Sequence, residues 1–217
     1  MRFTHSPQLM ADFPQLSVAT LRLTDVTDHA DVAATAQPFF DRAAARLAER
    51  SESEFPEIAA WRRAFAQMGL KPTQYRCASE ALLRRFKKEG ALPSIHPLVD
   101  LCNAVSIAYA TPIAVFDLEH VDGDLTVRRA DGSETYATFG GEQENPAPGE
   151  VIFADDAGNA HARRWTNRQS ALSAIRPATR SVLIVSEAMH ETGADDITTL
   201  RGELREALSA HWSVSGD

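Results

Sequence analysis

At 217 residues, the chain has the length of one domain, or of one with a sizeable appendage, taking about 150 residues per domain as the norm, and two large domains are not expected. Apolar residues make up 44% and charged residues 24%, a balance that can bury a core and does not fit a disordered or fibrous chain. Acidic side chains outnumber basic ones 30 to 22, a net charge of −8, so nucleic acid or anionic membrane cannot be coated through the overall field and any such contact is local.

No stretch approaches the roughly 20 apolar residues that span a bilayer, and the first ten residues, MRFTHSPQLM, lack the apolar core of a secretory signal. A cytoplasmic protein without a membrane partner is expected. The two cysteines, Cys77 and Cys102, have neither disulfide-framework numbers nor CxxC spacing and read as small buried apolar residues.

In chain order, the segment 16–26 alternates Ala19, Leu21 and Leu23 against Val18, Thr20 and Arg22 and is read as the first strand. A helix follows from about Pro38 to Ser51, then a second from Pro56 to Met68 with Pro in its first turn and Gly69 past its end. A third, from about Gln74 to Lys88, ends at Gly90 and carries the densest positive charge: Arg76, Arg84, Arg85, Lys87 and Lys88. That face is either solvated or turned to phosphates. Pro97 opens a fourth helix with an apolar stripe of Leu98, Leu101, Cys102, Val105, Ala108 and Tyr109. Beyond Pro112, IAVFDLE, LTVRRA and TYATF with Asp-Gly turns at 122 and 131 predict a β-meander. A loop occupies 140–149. Strands at 150–154, 160–165 and 181–187 and an acidic amphipathic helix at 195–208 complete the chain. Helices first and strands after them predict a single α+β domain, a central sheet flanked by helices.

Several chemistries have no sequence support. There is no GxGxxG or GxxxxGK[ST] loop, no HExxH, and no GxSxG elbow; the seven histidines are dispersed and neither cysteine has a nucleophile context. Neither a cofactor nor a metal is expected, and catalysis would work mainly by positioning.

From Leu98 to Ala188 the succession LVDLCNAVSIAYATPIAVFDLEHVDGDLTVRRA, GG, EVIFADD, a polar turn and VLIVSEA resembles the B3/B4 domain, the editing module of the bacterial phenylalanyl-tRNA synthetase beta subunit, with the motif region at about 96–189. The resemblance implies a B3/B4-like fold and hydrolysis of an amino acid wrongly esterified to tRNA; a chain with no aminoacylation domain in this sequence is then expected to act on mischarged tRNA in trans. It equates Glu187 with the family's pocket glutamate, the bland reading being a strand-end carboxylate in solvent. It equates Asn103 with the asparagine of the VDxxN helix, either a substrate contact or a structural amide.

Two departures from the family pattern stand out. Ala114 takes the place of the family's histidine, and RRWTNRQS, residues 163–170, replaces a glycine-rich turn that helps to form the amino-acid pocket. Tyrosine is therefore not the expected substrate. Arg164, Trp165 and Arg168 suit a site that stacks a terminal base and grips a phosphate or carboxylate, while Asn167, Gln169 and Glu187 are the candidate catalytic groups in a pocket expected to be polar. Arg163, Arg164 and Arg168, with the cationic helix, would face tRNA. The alternatives are Trp165 in the core with the arginines in surface ion pairs, and, for the whole chain, a non-catalytic module that binds tRNA or an amino acid, or an esterase for small aminoacyl compounds.

Overall fold

The computed structural model describes residues 1–215. In chain order the elements are β1 (Phe3–His5), α1 (Pro7–Asp12), β2 (Ser17–Thr24), α2 (Ala33–Glu49), α3 (Pro56–Gln67), α4 (Ala78–Glu89) and α5 (Pro97–Tyr109). They continue as β3 (Ile113–Asp117), β4 (Leu125–Arg129), β5 (Tyr136–Ala137), β6 (Gln143–Glu144), β7 (Val151–Asp155), β8 (Ala160–Arg163), β9 (Arg168–Gln169), β10 (Val182–Ala188), α6 (Gly193–Ser209) and β11 (Ser213–Ser215). The mixed α/β architecture agrees with the sequence reading.

Two sheets make the core. One runs β11-β2-β10-β3 and is antiparallel; the other runs β1-β4-β7-β8-β9. Successive side chains of a strand point to opposite faces, and β10 divides its side chains between two layers accordingly. Val182 and Ile184 pack with Leu21, Leu23, Leu101, Val105, Leu200 and Leu204 under the helices, whereas Leu183 and Val185 pack with Phe116, Val127 and Phe153 between the sheets. With both faces covered, all seven residues of β10 are buried, as expected of a central strand without polar alternation. The same parity sends the side chain of Glu187 into the inter-sheet layer.

Several sequence expectations are corrected. The first strand is the three-residue β1, which pairs in parallel with β4; segment 16–26 supplies the second. The expected meander does not form: β3, β4 and β5 belong to three different sheets, because alternation fixes which face of a strand is buried and leaves its pairing partner open. The loop at 140–149 contributes β6, paired with β5. The first long helix begins at Ala33 and runs through Pro38, the added turn being held by Val32 and Ala36 in the core beneath it. The cationic helix begins only at Ala78, which leaves Arg76 in the preceding turn. Pro97 and Gly90 mark the ends assigned to them, Gly90 with φ 75°. Both cysteines are free and buried. Among the described residues no helix is long and apolar enough to cross a membrane.

Candidate functional site

Burying a carboxylate costs several kcal/mol unless its oxygens are bonded, so the surroundings of Glu187 are informative. The indole N–H of Trp165 donates to both carboxylate oxygens at 3.0 Å, and Nε2 of His5 lies 2.6 Å from Oε1. Glu187 is 2% exposed, which removes the reading of a strand-end glutamate in solvent. His5 was not singled out by the sequence. It stands 182 positions from Glu187, and no local pattern connects the two.

The turn that carries Trp165 has an unusual backbone. Arg164 and Trp165 have φ of 47° and 59°, the left-handed region that costs a residue with a Cβ roughly 1–2 kcal/mol. Glycine adopts this region without strain, yet both residues here carry side chains. Specific bonds hold the turn. Glu150 Oε1 accepts the backbone N–H of Arg164 at 3.1 Å, Val151 O accepts that of Trp165 at 2.7 Å, and the Arg164 guanidinium lies 4.7 Å from the Tyr75 ring centroid. The turn is also tied outward. Asn167 Nδ2 donates to Arg76 O at 2.7 Å, Ala78 N–H to Thr166 O at 2.8 Å, and Gln169 Nε2 to Val115 O at 2.6 Å. The last bond satisfies a carbonyl on β3, an edge strand.

These residues enclose a cavity of about 60 Å³ whose wall includes Trp165, Asn167, Arg168, Gln169 and Glu187 together with Ala114, Phe116, Phe153 and Val185. Glu187 and the turn thus share one cleft. The wall is more apolar than expected, because the carboxylate is already bonded and each amide gives one N–H to a backbone carbonyl. Ala114, which the resemblance sets against the family's histidine, lines the cavity. Arg164 does not line it and covers Tyr75 instead. Asn103 lines a neighbouring cavity of about 200 Å³, across β3, which shares Ile113 and Gln169 with the first.

Trp165 is corrected in one respect. It is wholly buried, its ring edge-on to Phe13 and Trp61 at 5.0 and 5.1 Å, so it offers no face to a terminal base. Arg163 is likewise removed from any RNA surface. It is 8% exposed and bonded through Nε and Nη2 to Glu150 at 2.9 and 2.8 Å, a bidentate pair that, together with the charge of Glu144, raises its pKa above the ordinary value. Arg168 is exposed and shares Glu144 at 3.3 Å. On and before α4, Arg84 and Lys87 flank Glu52 at 2.9 and 3.3 Å, Arg85 meets Glu89 at 2.9 Å and Arg76 meets Glu80 at 3.3 Å. Local acidic partners therefore offset much of the positive charge counted along the helix. Lys88 is exposed, with no ion pair among the described residues.

A Ser–His–Asp string is present that no motif announced: Ser173 Oγ lies 2.8 Å from His161 Nδ1, and His161 Nε2 lies 3.1 Å from Asp155 Oδ2. Ser173 and His161 are 0% exposed, so no ester reaches the hydroxyl. Asp155 also accepts from Asn159, Ala157 and Asp122; burial alone would raise its pKa, but these bonds hold it below the ordinary value. The string is a strut that ties two loops to the core.

A family model for the B3/4 domain matches residues 60–201, more than half of the chain. The chain belongs to the B3/4 domain family. The match extends to either side of the motif region read from the sequence. The phenylalanine–tRNA ligase beta subunit of Nitrobacter winogradskyi is 39% identical over 79 residues, 36% of this chain and 10% of that protein. That of Photorhabdus laumondii is 29% identical over 87 residues, 40% of this chain and 11% of that protein. The B3/4 chain thus spans about a tenth of the length of these curated relatives. An N-terminal fragment of the phenylalanyl-tRNA synthetase beta subunit from Pyrococcus horikoshii superimposes with a TM-score of 0.52 over 98% of this chain and 50% of that one, at 9% identity. The fold is shared.

Proposed function

We propose that this B3/4 domain protein hydrolyses mischarged aminoacyl-tRNA in trans. The observation that carries the reading is the single cleft into which a buried carboxylate, Glu187, and the amides of Asn167 and Gln169 are brought from distant parts of the chain. Each amide has a second N–H that no described residue engages, and these N–H groups are the donors the reading assigns to an oxyanion. An aminoacyl ester is already activated, so water attacks the carbonyl, a tetrahedral oxyanion forms against these donors, and the C–O bond to the ribose breaks. The leaving ribose oxygen takes up the proton the water loses, relayed by the neighbouring ribose hydroxyl. Free amino acid and tRNA result. Glu187 holds Trp165 and borders the space for the amino-acid side chain. That space is small: about 150 Å³ accommodates benzene in an apolar protein cavity, against about 60 Å³ here, which favours a small side chain over an aromatic one. Arg84, Arg85, Lys87, Lys88 and Arg168 supply the exposed cations for an acceptor stem, and binding should weaken with salt.

A second reading, a binding module without turnover, is favoured by Ala114 in place of an imidazole and by the engagement of both Glu187 oxygens. A deacylation screen with wrongly and correctly charged tRNAs, at protein far below substrate, separates the two. Multiple turnovers that fall in Asn167→Ala and Gln169→Ala support the hydrolase. Saturable tRNA binding with no amino acid released supports the module, and turnover of a small aminoacyl ester with no dependence on tRNA refutes both.

A further inference from the structure

The hydrolysis proposed above assigns no part of the substrate to the larger cavity. That cavity lies on the helix side of β3, against α5, and its wall is apolar except for Asn103 and Gln169. At about 200 Å³ it exceeds the roughly 150 Å³ that admits a benzene ring. A planar ring system fits.

Three observations define the occupant. The amide of Asn103, half-buried in the cavity wall, makes no hydrogen bond to any described residue; its idle donor and acceptor match a ligand edge that offers an acceptor beside a donor. Phe139, at the cavity, is 73% exposed and Ile95 beside it 66%, so an aromatic face and an apolar flank stand open where burial would be favourable. The cavity also meets the first one at Ile113 and Gln169, so groups bound in the two would be neighbours in a single ligand.

We infer that the Asn103 cavity binds the adenine of an unstacked terminal adenosine, with the Asn103 amide paired to the N6/N7 edge and the Phe139 ring stacked on the base. The inference rests on the aminoacyl-tRNA reading, since the ester would then sit between the adenine in one cavity and the amino acid in the other. Amide-to-adenine pairing and stacking on an aromatic side chain are the ordinary means of reading a splayed base. An apolar amino-acid side chain in the same cavity would leave the amide unpaired.

The test uses the full chain and adenosine 5′-monophosphate as the probe, with calorimetric titration and thermal melting of each variant to verify folding. Binding in the millimolar range is expected, weakened at least fivefold by Asn103→Ala, by Asn103→Asp, which removes the donor, and by Phe139→Ala. Absence of binding, equal binding by wild type and all three variants, or binding of an aromatic amino acid in preference to the nucleotide overturns the inference. Its failure is distinct from that of the proposed function. Turnover of aminoacyl-tRNA undiminished by these variants refutes the adenine site and leaves the hydrolase, while variant-sensitive nucleotide binding without turnover does the reverse.

Discussion

The contact between Trp165 and Glu187 yields the sharpest prediction. Trp165→Phe removes the N–H that both carboxylate oxygens accept and leaves His5 as their remaining side-chain partner. A hydrogen bond to a buried charged group contributes about 1.5–3 kcal/mol. Replacing an indole by a phenyl ring in an enclosed site adds about 1 kcal/mol for the void. A loss of about 2.5–4 kcal/mol results, a fall in Tm of roughly 5–16 °C at about 2–4 °C per kcal/mol for a chain of this size. Glu187→Gln keeps the shape and loses the charge, at about 2 kcal/mol. In the Gln background the Phe substitution breaks only a neutral bond, so the two changes together should cost about 1–2 kcal/mol less than their sum. Urea unfolding of wild type, both single variants and the double variant measures this. Costs that add to within about 0.5 kcal/mol would show that the indole and the carboxylate do not depend on one another, and the account of the cleft would fail.

Three further outcomes are expected. At Gly123, φ is +74° and an added Cβ would lie 2.2 Å from Asp156 Oδ2, the atom that accepts the Asp124 N–H; Gly123→Ala should cost about 2–3 kcal/mol in urea unfolding, and a cost below about 0.5 kcal/mol would contradict the geometry. Burial pushes the thiols of Cys77 and Cys102 up to about 11 and about 12, so neither should react with a disulfide reagent in native protein at neutral pH, whereas both react once urea is added. Burial also holds His96 and His161 below the ordinary imidazole pKa. The unfolded chain then binds more protons than the native one, and stability should fall as pH drops through about 6.5, by up to about 1.4 kcal/mol per pH unit for each histidine. His161→Gln should flatten that slope, and an unchanged slope would acquit His161.

Local features carried much of this fold into the sequence. Pro56 and Pro97 open helices, Gly90 closes one, and the alternation at 17–24 buries Ala19, Leu21 and Leu23. What stayed hidden depends on distant partners. Three residues of β1 are too few for a period, and the strands between 113 and 137 state their buried face without stating their neighbours. The polar texture of RRWTNRQS suggests a surface turn. Yet Arg163 lies on a strand whose four residues are all buried, with Glu150 and Glu144 as partners, and Trp165 projects inward from a left-handed backbone. Of the cleft, Glu187, Asn167 and Gln169 were legible, His5 was not, and Asn103 proved to lie in the adjoining cavity.

The indole of Trp165 also alters how the cleft can select. A pocket that recognises a hydroxyl by pairing it with a carboxylate needs that carboxylate open, but here the protein's own N–H takes both oxygens. Under the hydrolase reading, what remains is discrimination by size. A cavity gives up only about 1–3 kcal/mol for a methylene that is missing, whereas a rigid wall rejects what is too large. The wall here is rigid: Phe13 and Trp61 brace the ring, and backbone bonds to Glu150 and Val151 hold a turn whose two successive residues would otherwise abandon positive φ. Conformational cost spent on that turn is consistent with a cleft narrowed from within, and substrates would be distinguished by what the indole leaves unfilled.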